Sequence, residues 1–171
     1  MACKHVEEVF MQVVNSTGLV LKPLGFIRNG RVLRIVDQGI AGIIEFQRSS
    51  KSSASKLLFT VNLGVVYGEL LDTGIFGLQK ARVVDAHVGQ RIGMLLPGHP
   101  DKWWEISENT NGDVLVREVS ELISEICVSY IRFYFDRNVV MKLWESGSSP
   151  GLTDRQRVAF LSRLKGIIND G

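Results

Sequence analysis

Polar and ionisable side chains alternate with apolar ones along three segments in the middle of the chain: Glu45, Gln47, Thr60, Asn62, Asp85, His87 and Arg91. Because neighbouring side chains on a strand point to opposite faces, these residues would form one polar patch if the segments pair in register. In an enzyme, Glu45 or His87 would act as the general base. Arg91 would then bind an anion, and Asn62 would orient the substrate. The alternative is a solvated face with cross-strand ion pairs, which antiparallel sheets commonly display.

Two adjacent tryptophans, Trp103 and Trp104, follow this region. On a strand they would point to opposite faces, so one is expected in the core and the other at a rim or edge. A second use is stacking on a nucleic-acid base or on a partner's side chain, for which Trp104 is the candidate. The apolar segment over residues 70–78 would either cap the core or offer a surface patch to another chain.

Short motifs that would indicate a reaction are missing or out of context. Residues 147–151 read Gly-Ser-Ser-Pro-Gly and match the G-x-S-x-G string of serine hydrolases, but they follow a predicted helix and include a proline. No histidine after position 99 could serve as the base of that string. His5, His87 and His99 lack the spacing of a metal site, and no phosphate-binding glycine loop is present. The sequence therefore predicts neither a metal nor a cofactor.

The composition is that of an ordinary globular domain. The chain has 171 residues, of which 45% are hydrophobic and 22% are charged, and its net charge is +2. This length predicts one domain, and the near-neutral charge disfavours nucleic-acid binding. The two cysteines, Cys3 and Cys127, are too few for a disulfide framework, which favours a cytoplasmic location. No apolar run is long enough to span a membrane, and the first residues do not resemble a signal peptide.

The periodicity of the apolar residues predicts the order of the elements. An amphipathic helix is expected over residues 6–24, followed by a hairpin of strands at 33–35 and 44–46 that turns at Asp37-Gln38-Gly39. Further strands are expected over residues 57–65, 82–94 and 103–106. Helices over 113–133 and 139–144 follow, and Thr153 and Gln156 have the spacing of a capping box before a last helix.

Sequential strands without helical crossovers favour an antiparallel sheet. The expected fold class is α+β, with a sheet of about four to five strands, an N-terminal helix and a C-terminal group of helices. The first helix and the long helix would cover one face of the sheet. We expect residues 1–171 to form a single domain, in which residues 147–171 are a C-terminal helical extension.

Four short motifs occur in an order that is typical of a known family. They are Leu24-Gly25-Phe26 with Arg28, Asn62-Leu63-Gly64, Arg91-Ile92-Gly93 and Trp103-Trp104. Over about residues 4–135 the chain resembles the bacterial domain-of-unknown-function family 4304. The resemblance implies a small intracellular bacterial protein with no established activity, cofactor or catalytic residues. It supports the fold and leaves the function open.

We expect a non-enzymatic protein-binding module, with toxin neutralisation or regulation as roles to consider, because no group of residues supplies nucleophile, base and orienting group together. The residues expected to bind the partner or ligand are Glu45, Asn62, His87, Arg91 and Trp104. One alternative is a small hydrolase or transferase that acts on an anionic small molecule, in a pocket containing Arg91, Glu45 and a His87 of shifted pKa. A second alternative is single-stranded nucleic-acid binding by Trp104 and nearby arginines. The expected partner is another protein, with a homodimer left open and no membrane contact.

Overall fold

A computed structural model describes residues 4–169, in which helices flank a central run of strands. The helices are α1 (Lys4–Leu21), α2 (Gly112–Leu122), α3 (Val128–Phe133), α4 (Arg137–Glu145) and α5 (Asp154–Asn169). The strands are β1 (Ile27–Asn29), β2 (Val32–Asp37), β3 (Ile40–Arg48), β4 (Lys56–Tyr67), β5 (Val88–Arg91) and β6 (Trp104–Ser107). A π-helical turn, Ile123–Cys127, joins α2 to α3, so that together they form the long helix expected from the sequence.

The strands form one antiparallel sheet in the order β1-β2-β3-β4-β5, and β6 also pairs with β4. At 12 residues, β4 is long enough to pair with two strands along one edge. Residues 56–59 of β4 pair with β6, and residues 62–65 pair with β5. The predicted α+β class with an antiparallel sheet is confirmed. The sheet has one strand more than expected, because the three residues of β1 are too few to show an alternating pattern.

The main core lies between the helices and one face of the sheet. On α1 the buried residues recur at three- and four-residue spacing, as expected of an amphipathic helix. On β4 the side chains that point into this core are Leu57, Phe59, Val61, Leu63, Val65 and Tyr67. Burying one such side chain contributes about 1.5–3 kcal/mol before the entropic cost of ordering it.

A tight turn joins β2 to β3 at the predicted place. Gln38 and Gly39 both have positive φ, 49° and 75°. Two successive residues of this kind form the type I′ turn, whose twist matches that of the strands it connects. The two strands pair from Asp37 with Ile40 to Val32 with Glu45, so the predicted hairpin is confirmed.

The predicted strand over residues 82–94 is wrong at both ends. Only Val88–Arg91 is extended, and it lies between the 3₁₀ turns Val83–Asp85 and Ile92–Leu95. The first turn is held by Asp85, whose carboxylate accepts the backbone N–H of Arg82 at 2.8 Å. The second turn follows Arg91, which pairs with Asn62 of β4. Further along the same edge, residues 56–59 of β4 pair with β6 and leave β5 no partner there. The alternating pattern therefore continues past the residues that have a partner strand.

The segment after α4 packs against the rest of the structure. The backbone N–H of Gly89 on β5 donates to the carbonyl of Pro150 at 3.0 Å. Thr153 and Gln156 bond each other's backbone N–H groups at the start of α5, which confirms the predicted capping box. Leu164 of α5 is fully buried in the main core.

Two further sequence expectations concern cysteines and membranes. Cys127 is free and buried, whereas Cys3 lies outside the described residues. Among the helices formed by residues 4–169, none is both long enough and apolar enough to cross a membrane.

Candidate functional site

The second face of the sheet, opposite the helices, is only half covered. Leu78 and Ala81, from the segment between β4 and β5, pack on this face and form a second, smaller core. The strand residues of that core are Val32, Ala41, Ile43 and Val66. The predicted apolar segment thus caps part of the sheet, but Ile75 and Phe76 within it remain 59% and 88% exposed.

The uncovered half of this face, which we call the open face, carries Glu45, Gln47, Asn62 and Arg91. Pairing places Glu45 beside Asn62, and Asn62 beside Arg91, so these three predicted residues form one row across β3, β4 and β5. The side-chain amide of Asn62 donates to Gln47 Oε1 at 2.7 Å. Thr60 lies on the same strand but is buried, and its hydroxyl donates to the carbonyl of Lys102 at 2.7 Å.

Glu45 forms an ion pair with Arg82. Burial would raise the pKa of the Glu45 carboxyl, but hydrogen bonds from Arg82 and from the backbone N–H of Val83, with the nearby charges of Arg82 and Arg31, lower it below its usual value. Glu45 is therefore an ionised partner for arginine near neutral pH. A carboxylate held in this way is a weak base, since its charged form is already stabilised.

Arg91 at the other end of the row is also paired. It forms an ion pair with Asp101 at 2.6 Å, and its guanidinium lies 5.1 Å from the centre of the Trp103 ring. Trp103 Nε1 donates to the same carboxylate at 3.0 Å. Hydrogen bonds from Arg91 and Trp103 lower the pKa of Asp101. The three side chains form a connected polar group at the rim of the open face.

His87 does not lie on the open face, so its predicted position there is wrong. It precedes β5, is 3% exposed, and its Nδ1 accepts the backbone N–H of Tyr67 at 3.0 Å. Its ring packs against Phe160 of α5, with 4.7 Å between ring centres. Burial lowers the pKa of His87 to about 4. The histidine of shifted pKa therefore lies apart from Glu45 and Arg91, in a cleft that it shares with Asp85, Gln156 and Arg163.

Trp104 points into the main core, where its ring stacks on Phe59 at 5.3 Å between centres. It is 4% exposed, and its Nε1 donates to Glu118 at 2.8 Å. The expected division of the tryptophan pair is therefore found, with Trp103 at the rim. The choice of Trp104 as the binding residue falls on the buried member, because alternation alone does not say which face is the core.

A groove of about 630 Å³ runs over the open face. It is lined by Arg31, Glu45, Phe46, Gln47, Arg48, Asn62, Arg82, Val83 and Val84. A pocket of about 350 Å³ adjoins it and shares Arg31 and Arg82 with it. The other residues that line this pocket are Asn29, Val32, Arg34, Gln79 and Lys80.

Sequence reasoning missed the four basic residues of this pocket. Arg34 alternates with the apolar residues Leu33 and Ile35 on β2, which is the signal of an outward position. Lys80 precedes the predicted strand over residues 82–94, Arg82 begins it, and Arg82 comes 48 positions after Arg34 in the sequence. Only the folded chain brings these cations together.

The lining of the groove and the pocket can bind charge, and Lys80 and Glu45 are the members of it that could take part in acid–base chemistry. It includes no Ser, Thr, Cys or His, and its one carboxylate, Glu45, is bonded to Arg82. Nucleophilic or acid–base catalysis needs such a group within hydrogen-bond reach of a base or an orienting partner. Within residues 4–169, no group of three or more His, Cys, Asp or Glu side chains could hold a metal ion.

Fold and site together define an α+β protein with helices on one face of a six-stranded sheet and a basic groove on the other. The family model described as Domain of unknown function (DUF4304) matches residues 18–146. This match spans most of the chain, so the chain belongs to that family, and the resemblance noted in the sequence is confirmed. The matched residues include all four motifs, whereas α5 lies beyond them. Neither the search of curated proteins nor the search of solved structures found a match.

Proposed function

We propose that this protein is a non-enzymatic binding module, and that its open face holds an acidic segment of another protein. The charge of the groove and the adjoining pocket carries this proposal. Five cations line them, namely Arg31, Arg34, Arg48, Lys80 and Arg82, against the single carboxylate of Glu45. A surface of this kind attracts a partner of opposite charge.

The excess of positive charge remains after the ion pairs are counted. Arg82 is paired with Glu45, and Arg48 with Glu7 of α1 at 2.6 Å. Arg34 donates only to the backbone carbonyl of Ala81. Among the described residues, the side chains of Arg31 and Lys80 have neither an ion pair nor a hydrogen bond. Three positive charges are therefore left for a partner.

An apolar side chain at the rim supports a protein as the occupant. Val84 lines the groove and is 89% exposed. Exposed apolar side chains beside charged ones are typical of protein interfaces, in which a few such contacts supply much of the binding energy. A regulatory or toxin-neutralising role would use binding of this kind, and the proposal keeps the cytoplasmic location expected from the cysteine content.

The test is capture by the immobilised full chain from a lysate of the cells that make it, with quantitative mass spectrometry. Val84→Glu places a negative charge at the groove, so it should reduce capture of an acidic protein by about tenfold or more. Val158→Glu is the matched control, because Val158 is 55% exposed on α5, which does not line the groove. The captured protein is then purified, and its binding to each variant is measured by calorimetry.

A photo-crosslinking amino acid at Gln47 locates the contact. Gln47 is exposed on the open face, so the crosslink should form within an acidic segment of the partner. The same group at Arg155, which is exposed on α5, should give none. Equal binding by the wild type and Val84→Glu, or crosslinks from Arg155 alone, would contradict the proposal.

A further inference from the structure

The pocket beside the groove is lined by four cations and by no acid. Arg31, Arg34, Lys80 and Arg82 surround about 350 Å³, together with two amides, Asn29 and Gln79, and with Val32. Like charges brought this close repel one another. Burial and the charge of Arg82 lower the pKa of Arg34, and the nearby Glu45 carboxylate opposes them only in part. Such an arrangement is stabilised when an anion enters.

Two of the four cations are held in place before any ligand binds. Arg34 donates through Nε to the carbonyl of Ala81 at 2.9 Å, with a second bond from one of its terminal nitrogens. Arg82 is held by the Glu45 carboxylate. Fixing a guanidinium in advance reduces the entropy lost on binding. Arg31 and Lys80 have no side-chain partner among residues 4–169, so they can close on a ligand from the rim.

We infer that this pocket binds the phosphate group of a small phosphate monoester whose remaining part carries hydroxyl groups, as in a sugar phosphate. A phosphate monoester carries close to two negative charges and presents three oxygens to arginine and lysine donors, whereas a carboxylate carries one charge and two oxygens. Of the four cations, Arg82 is paired with Glu45, and the three that remain fit the dianion better. The inference goes beyond the partner protein proposed above. Because Arg31, Arg34 and Lys80 would serve both ligands, the phosphate ester and the acidic segment would compete for this pocket.

The other lining residues indicate what the rest of the ligand resembles. The amides of Asn29 and Gln79 can donate to hydroxyl groups and accept from them. No aromatic ring lines the pocket, so a nucleotide base would have nothing to stack on. The volume of about 350 Å³ is at the lower end of small-molecule sites. A compact hydroxylated body fits these features, and a nucleotide does not.

The experiment is a calorimetric titration of the full chain with glucose 6-phosphate, inorganic phosphate, glucose and AMP. Glucose 6-phosphate should bind more tightly than inorganic phosphate or AMP, and glucose should give no saturable heat. Arg31→Ala and Lys80→Ala should each weaken the binding of glucose 6-phosphate by about tenfold, since each removes a charge-assisted contact. Arg117→Ala is the matched control, because Arg117 is an exposed arginine on α2 that does not line the pocket.

Three results would overturn the inference: no saturable binding of glucose 6-phosphate at millimolar concentration, equal weakening by Arg31→Ala and Arg117→Ala, or tighter binding of AMP. If Arg31→Ala fails to fold, Lys80→Ala decides, since the Lys80 side chain is exposed. The titration contains no partner protein. Its failure therefore leaves the capture experiment unaffected, and the failure of that experiment leaves the titration unaffected.

Discussion

The buried ring of His87 makes the stability of the protein depend on pH. Its Nδ1 accepts a backbone hydrogen bond, so the neutral ring carries its proton on Nε2. Burial lowers its pKa to about 4, with Arg163 acting in the same direction and with Glu69 and Asp85 acting against it. In the unfolded chain the pKa of histidine is about 6.5.

We predict that the free energy of unfolding falls as the pH is lowered from about 6.5 to about 4. In this window the unfolded chain binds a proton at His87 and the folded chain does not, so acid favours unfolding. The pKa difference corresponds to about 3 kcal/mol in total, as an order of magnitude. Urea unfolding at a series of pH values measures it.

His87→Gln is the control, because glutamine can accept the Tyr67 N–H but does not titrate. Titrating carboxylates change the free energy of unfolding equally in both proteins. The difference between the two curves of unfolding free energy against pH therefore reports the titration of His87 alone. That difference should be flat above about pH 6.5 and should shift in favour of His87→Gln below it. Parallel curves at every pH would show that His87 is protonated equally in both states.

At the scale of single residues, the alternating pattern correctly predicted which residues within paired strands share a face. It was wrong for His87 and Trp104, whose positions depend on contacts with residues distant in sequence. Glu45, Asn62 and Arg91 share one row because each lies within a paired strand. His87 lies one residue before β5, where the period of two no longer applies. Trp104 lies on a strand, but which side of that strand meets the core depends on its pairing with Phe59. Such pairings between distant residues are not visible in a single sequence.

At the scale of elements, the contact between β3 and α3 depends on one glycine. A Cβ atom at Gly42 would lie 2.2 Å from Cγ2 of Ile131 and 3.2 Å from the ring of Phe135. Gly42 therefore lets the long helix approach the sheet more closely than any other residue would allow.

We predict that Gly42→Ala lowers the free energy of unfolding by about 2 kcal/mol, because the helix must shift and loosen the core around it. Chemical denaturation measures this change. Gly166→Ala is the matched control, since a Cβ at Gly166 of α5 meets nothing within 4 Å. That variant should be unchanged or more stable by up to about 1 kcal/mol, because alanine favours helices.

A second variant shows whether the clash with Ile131 is the cause. Ile131→Ala removes the atom that the new methyl group meets, so Gly42→Ala should cost less in that background than in the wild type. The two changes would then be non-additive. Additive losses would mean that the strain at Gly42 arises elsewhere.

Elements with a strong local pattern were predicted well. The hairpin at Asp37-Gln38-Gly39 and the cap at Thr153 and Gln156 depend only on residues close in sequence, so one sequence suffices to find them. The segment from Arg82 to Met94 was wrong because its strand exists only where β4 has a free edge. The length of that strand is set by another part of the chain.

At the scale of the whole molecule, the net charge of +2 conceals a local excess. Acidic and basic residues nearly cancel over the chain, yet the groove and its pocket hold five cations and one acid. The near-neutral total was the reason for disfavouring nucleic-acid binding. It does not describe the surface that a partner would meet.

We predict that affinity for the captured protein partner falls by about tenfold or more as ionic strength rises from about 0.05 to about 0.5 M, because salt screens attraction between exposed charges. Calorimetry or surface plasmon resonance at several salt concentrations measures it. Arg31→Ala should flatten this dependence, whereas Arg117→Ala should leave it as in the wild type. An affinity that rises with salt would indicate a mainly apolar interface.

The hydrogen bond from the backbone N–H of Gly89 to the carbonyl of Pro150 occupies part of the outer edge of β5. A strand with a free edge can pair with the strand of another molecule, which is a common route to aggregation. Here the segment before α5 supplies a carbonyl to β5, and at the opposite end of the sheet β1 has only three residues to pair with. At these two edges little backbone is left for a strand of another molecule, while the half of the sheet face that carries the groove stays open to solvent.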